Sequence, residues 1–315
     1  MEVTNGEMDN TFFLSKNKTA AIKEKLIVGS TLMAVIIVIA VLFLIIGIIV
    51  YNGWELFSWK FISSFPTDGM TKGGIFPAII GTFILVIVMS IAAVPFGTIT
   101  ALYLTEYASE NSKFAAAVRF SVRTLAVVPS IIFGLFGLGF FIQFLGKGMD
   151  TAFNDGQLHW AQPNILWASL TMALLTLPVI IVSVEEALKT VPRELREASL
   201  ALGATKWQTI RKVVLPGSVS GIMTGTILAI SRGAGEVAPI LFTGAAYYLA
   251  TLPKSVSDQF MNLGYHIYIM STQSSDVEKT MPIQFATTLV LLMLTISLNI
   301  VAVVIRSRIR SKRIS

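Results

Sequence analysis

Residues 26–50 read LIVGSTLMAVIIVIAVLFLIIGIIV, an apolar run without a single charged side chain. As a helix rising 1.5 Å per residue it would reach roughly 37 Å, more than the hydrocarbon core of a bilayer at about 30 Å. Inside lipid every backbone N–H and C=O needs an internal partner, so a run of this kind forms a spanning helix. It follows a lysine-bearing tail and has no small-residue cleavage site, which predicts an uncleaved anchor. Five further stretches share the pattern, at 77–104, 124–145, 164–184, 217–243 and 283–305. With 54% of its 315 residues hydrophobic and 13% charged, the chain carries more apolar surface than a soluble domain can hide. The expectation is an all-α, polytopic transmembrane helical bundle of six spans. A tail would cover 1–25, the membrane domain 26–305 and a basic tail 306–315.

Charge placement orients this bundle. The N-terminal tail, the 105–123 loop, the 185–216 loop and the C-terminal tail hold 18 of the 24 Lys and Arg residues. The opposite side holds only Lys60, Lys72, Lys147, Lys254 and Lys279, and Arg232 lies within a span. Positive loops stay in the cytoplasm, so both termini are expected there. The net charge of +6 is thus a matter of membrane orientation, and no nucleic-acid partner is expected.

Several chemistries are excluded or unsupported. The absence of cysteine rules out disulfides and thiolate metal sites. His159 and His266 fall far apart in loops and read as surface residues, so no metal site is expected. There is no GxxxxGK[ST] phosphate loop, no HExxH or GxSxG, and no intramembrane carboxylate pair. The chain therefore does not read as an enzyme, and any ATP and Mg would be bound elsewhere. Pro95 and Gly97 in the second span are compatible with either a kink or eased packing.

The longest inner loop reads VEEALKTVPRELREASLALGATKWQTIRKVVLPG over 184–217. Pro192 suits a helix start, and a helix over 193–202 can be stopped by Gly203 in the left-handed conformation. Thr205 and Gln208 have capping-box spacing for a second helix over 206–214, and Pro216 fits the start of the fifth span. The result is a helix–glycine–helix elbow. An amphipathic pair lying on lipid is the plainer alternative, which the four acids of the loop weaken. The spacing of Glu197-Ala198-Ser199, Gly203, Val213 and Leu215-Pro216 resembles the EAA-x3-G-x9-I-x-LP loop of ABC importer permeases. Ser199 and Val213 are mild departures. That resemblance implies a contact with a separate ATPase subunit at Glu197, Ala198 and Gly203; Ser199, Leu215 and Pro216 of the same motif are further candidates for the coupling.

The fifth span contains SRGAGE, Ser231 to Glu236. A charged side chain at the centre of a span costs several kcal/mol by any scale. Four residues apart on a helix, Arg232 and Glu236 share a face. A self-neutralising ion pair is one reading. The other is a substrate passage, favoured by Gly233 and Gly235 loosening the helix and Pro239 interrupting it. A guanidinium fork suits a tetrahedral oxyanion. A carboxylate beside it tolerates phosphate, whose P–OH can donate to it, and repels sulfate, which has no proton to offer.

SRGAGEVAPILFTG over 231–244 resembles the SRxxGExAPxLFT stretch of PstA-type phosphate importer permeases, and VPSIIFGLFGL over 128–138 resembles a second signature of that family. Val237, where the family often has Thr, is the main departure. The match extends over roughly 75–305. It implies a type I ABC importer permease fold in a bacterial or archaeal cytoplasmic membrane. It also implies a substrate pathway at Arg232 and Glu236, with inorganic phosphate as the substrate; Ser231, Gly233 and Gly235 of the same stretch are further candidate pathway residues. The implied partners are a PstC-type permease in a heterodimer, two PstB-type ATPases and an external PstS-type binding protein. Permeases for sulfate, molybdate or phosphonate, an ATP-independent carrier or channel, and a scaffold that transports nothing stay open as alternatives.

Overall fold

The computed structural model describes residues 18–109, 111–274 and 276–311. Residues 1–17 and 312–315, which hold Lys16, Lys312 and Arg313 of the two expected tails, lie outside the described residues. Among the described residues, six helical runs are long and apolar enough to cross a bilayer: Lys23–Gly53, Phe76–Tyr107, Ser130–Phe153, Ile165–Lys189, Lys206–Ala234 and Val277–Arg308. The chain divides into two units, Met1–Tyr51 and Asn52–Ser315. The first consists, where described, of most of helix α1 (Lys18–Gly53), whose 26–50 stretch is apolar around its whole circumference, as suits a lipid-spanning helix.

The second unit opens with α2 (Trp59–Ser63), N-capped by the Ser58 hydroxyl, and a small two-stranded hairpin, β1 (Pro66–Thr67) against β2 (Lys72–Gly73). Helix α3 (Phe76–Leu102) follows and widens into a π-helical turn, Tyr103–Tyr107. Pro95 sits inside α3 without ending it. The expected 105–123 loop is largely helical. Ser112 caps α4 (Lys113–Ala126), an amphipathic helix that stops at the Val127-Val128-Pro129 break. The third span therefore starts after Pro129, whereas the sequence reading placed its start at 124. It runs from α5 (Ser130–Phe136) through a π-helical stretch, Gly137–Gly146, into α6 (Lys147–Phe153). The residue before a proline is biased away from helix, which apolarity alone does not report.

Asn164 caps α7 (Ile165–Lys189), the most buried of the six long helices. It packs between α3 and α10 (Leu215–Ala234), with Leu85, Met89, Met172, Ile180 and Leu188 in the common core. The α7–α10 contact is a glycine seam. A methyl added at Gly217, Gly221 or Gly225 would lie 2.7 Å from Val191, 2.8 Å from Ala187 or 2.4 Å from Ser183. Small residues of this kind let helix backbones approach closely inside a membrane.

Helix α8 (Arg193–Ala201) ends at Leu202, and Gly203 adopts φ +84° as expected. The Thr205–Gln208 capping box is present at the start of α9 (Lys206–Thr209). The second arm of the elbow is not a separate helix, however. A π-helical turn, Ile210–Val214, joins α9 to α10. The wide turn just before Pro216 absorbs the missing N–H and the ring, so helix and span are continuous.

The expected fifth span is shortened: α10 stops at Ala234, not at 243. The 244–282 segment is not a loop throughout, because it contains α11 (Leu263–Thr272). The sixth long helix, α12 (Val277–Ser311), begins earlier than expected. Helices α11 and α12 share a second core containing Phe61, Met261, Leu263, Ile269, Met270 and Ile283. His159 is exposed, but His266 is only 3% exposed, against the expectation of a surface residue. Burial pushes its pKa down to about 4.

Candidate functional site

The last turn of α10 delivers Arg232, and the helix ends immediately after it. The Gly235 N–H donates to Arg232 O at 3.2 Å and the Glu236 N–H to Gly233 O at 3.1 Å. These shorter-range bonds replace the α-helical ladder, and irregular backbone continues through Pro239 to Gly244. The cation sits at a helix C-terminus, where the helix dipole favours positive charge. Glu236, one turn on, places Oε1 3.9 Å from Arg232 Nε. That distance makes a loose ion pair and not a hydrogen bond, so the donors of one group and the lone pairs of the other stay available.

Both groups open on a cavity of about 270 Å³. Its walls come from the end of α4 (Leu125, Ala126), the Val128–Ser130 break, Thr176 of α7, and Arg232, Gly233 and Glu236. The volume falls just below the range of drug-sized ligand sites and suits a small solute. The VPS and SRGAGE stretches, 100 residues apart in sequence, thus line one space. The longer stretches that contain them, 128–138 and 231–244, also pack together: a methyl on Gly134 would lie 3.0 Å from Pro239 backbone, and one on Gly137 would lie 2.6 Å from Thr243 Cγ2.

Not all of SRGAGE faces the cavity. Ser231 is 6% exposed, and its hydroxyl turns into the bundle without a hydrogen-bond partner. Gly235 caps the helix and is not a wall residue, whereas Gly233 lines the cavity, and a methyl added there would lie 2.9 Å from Thr176 Cγ2. The expected burial of the charged pair is corrected. The Arg232 side chain is 74% exposed on this chain and Glu236 is 28% exposed. Because the helix ends at Ala234, the guanidinium projects from a helix terminus instead of being enclosed by a continuous span. Ser130 and Thr176 were not singled out in the sequence as site residues. A serine directly after a helix-breaking Val-Val-Pro was the available signal for Ser130; Thr176 left none.

The elbow is the second candidate region. Glu197, Ala198 and Gly203 are exposed on it, as is Pro216, while Leu215 is half-buried. Ser199 is half-buried, and its hydroxyl bonds that of Thr209 at 2.9 Å, joining the two arms. Leu195, Leu200, Leu202 and Trp207 project large apolar surfaces from the same unit.

Residues 93–311 match the model of the binding-protein-dependent transport system inner membrane component family. The chain belongs to that family. Members are transporter components, and this inner membrane component is accordingly a multi-pass membrane protein. It is 29% identical over 263 residues to a probable ABC transporter permease protein, YqgI, of Bacillus subtilis, covering 80% of this chain and 84% of the relative. The phosphate transport system permease protein PstA of Haemophilus influenzae is 31% identical over 244 residues, covering 78% and 80% respectively. PstA of Mycobacterium leprae is 41% identical over 169 residues, but that match covers 54% of this chain and half of the relative's length. Among solved structures, the fold resembles a chain of a bacterial alginate ABC transporter with TM-score 0.64 at 18% identity, covering 90% of this chain and 94% of that one. A chain of the MetNI methionine ABC transporter gives TM-score 0.55 at 18% identity, covering 75% and 97%. The inner membrane component therefore has the type I ABC importer permease fold.

Proposed function

We propose that this chain is the transmembrane permease subunit of an ATP-driven importer that moves inorganic phosphate into the cytoplasm. The observation that carries the reading is the loose Arg232–Glu236 pair, 3.9 Å apart, opening on a cavity walled by the VPS break. A guanidinium supplies planar donors to the phosphate oxygens, and Glu236 accepts a hydrogen bond from the P–OH that phosphate retains near neutral pH. Relatives named as phosphate transport permeases, 31% and 41% identical, support the substrate assignment. In this reading both termini and the elbow face the cytoplasm. The chain pairs with a PstC-type permease as a heterodimer, and that second permease closes the open side of the cavity. Two PstB-type ATPases bind ATP and Mg and dock on the elbow through Glu197, Ala198 and Gly203. A PstS-type binding protein delivers phosphate from outside.

The test is reconstitution with the partner subunits in vesicles, followed by uptake of labelled phosphate with and without ATP. Uptake should require ATP, resist competition by sulfate, and vanish in Arg232→Gln with the complex still assembled. Uptake by this chain alone, or a preference for sulfate or molybdate, refutes the assignment.

A further inference from the structure

Two arginines outside the cavity grip the ends of the same two helices. Arg196, on α8 of the elbow, sets Nη2 3.0 Å from Glu106 Oε1, in the π-helical turn that ends α3. The same guanidinium donates to Leu188 O at 2.8 Å and to Val191 O, at the end of α7. Arg119, on α4, repeats the arrangement from the other side. It donates to Leu104 O at 2.7 Å on the α3 end and ion-pairs with Glu185 Oε1 of α7 at 3.5 Å. The Arg196–Glu106 pair is secluded, its side chains 18% and 9% exposed, and Glu185 is 11% exposed. Lys206 on the second arm of the elbow adds a third hold, its ammonium 5.2 Å from the ring centre of Tyr107.

These holds connect with the cavity by short routes. Helix α4 runs from Arg119 into Leu125 and Ala126, and α7 runs from Glu185 back to Thr176, all three of them cavity walls. Beside the two arginines lies an open groove of about 600 Å³. A secluded ion pair adds little stability over apolar packing, and its best-attested use is to fix one arrangement against others. We propose that Arg196 and Arg119 are positioning residues that fasten the elbow and α4 to the ends of α3 and α7. A displacement of the elbow is then carried to the Arg232 cavity by one rigid piece. The proposal rests on the reading of the chain as an ATP-driven permease.

The test uses the complete complex in vesicles, with Glu106→Gln, which removes the charge but keeps an acceptor, and Arg119→Gln. Phosphate taken up per ATP hydrolysed should fall about fivefold or more, the scale of a typical coupling between sites, while hydrolysis continues near the wild-type rate. A merely structural role lowers both together and leaves their ratio unchanged, which overturns the proposal. A second readout does not depend on substrate. The chain has no native cysteine, so Leu202→Cys and Phe120→Cys, both at exposed positions, place spin labels on the elbow and on α4. Their distance distribution should be narrow with and without trapped ATP, and broaden in Glu106→Gln. A distribution that stays narrow in the variant overturns the joint. If the wild-type complex hydrolyses ATP without taking up phosphate, the functional reading fails, and the spin-label distances still decide the joint.

Discussion

Replacing Glu236 by glutamine removes one negative charge from the Arg232 cavity and hardly changes the side chain's shape. Its effect on anion choice can be worked from the 3.9 Å separation and the open setting. An oxyanion held by Arg232 lies about 4 Å from the carboxylate, where like charges repel by about 1 kcal/mol in water and about 4 kcal/mol at protein-surface screening. Glu236 is 28% exposed and the cavity is open, so the lower end applies to sulfate, at about 1–2 kcal/mol. Phosphate offsets this repulsion by donating its P–OH to the carboxylate. In the variant it exchanges a charge-assisted hydrogen bond for a neutral one, losing about 1 kcal/mol. Freeing Arg232 from its counter-ion strengthens the attraction of every anion alike, and that contribution cancels in a ratio. The preference for phosphate over sulfate should fall by about 2 kcal/mol, roughly thirtyfold. The assay is competition of unlabelled sulfate against labelled phosphate uptake, wild type beside Glu236→Gln. An unchanged ratio, whatever happens to the absolute rate, would refute the role given to Glu236.

Two further outcomes follow from residues away from the cavity. Burial holds His266 neutral with a pKa of about 4, so between that value and the ordinary 6.5 the unfolded chain binds a proton that the folded chain refuses. Stability should fall as pH drops through this window, by about 1.4 kcal/mol per unit and about 3 kcal/mol in all. Thermal unfolding in detergent should show a loss between pH 7 and pH 5 that is smaller in His266→Gln; equal losses would contradict the account. Gly203→Ala adds a single carbon at φ +84° with nothing within 4 Å of it, so the cost is backbone strain alone, about 1–2 kcal/mol. Amide exchange over 193–209 should quicken about tenfold, and an unaltered rate would show that the turn carries no strain.

What could be read in the sequence was local. The elbow emerged nearly intact because Gly203, Thr205 and Gln208 fix its turn through their own backbone chemistry, within a few residues. The six spans were legible because an uncharged run of sufficient length has one stable form in lipid. Boundaries were less legible. The apolar runs continue past Ala234 and begin before Pro129, yet the backbone obeys the glycine and proline there and not the hydropathy. His266 was misread because FMNLGYHIYIM looks like a polar-interrupted loop, while its Leu263, Ile269 and Met270 face a core assembled from distant helices. The exposure of Arg232 depended on where its helix ended. The Arg196–Glu106 pair joins residues 90 positions apart, and no spacing rule reaches that far.

The seam between α7 and α10 leaves its mark on how the gene can drift. Any missense change that replaces glycine by another residue adds at least one carbon. At 217, 221 and 225 that carbon would meet a neighbour at 2.4–2.8 Å. Successive turns of one helix are therefore closed to gradual variation. A lineage can enlarge one of these glycines only after the residue opposite it, Val191, Ala187 or Ser183, has become smaller or moved away.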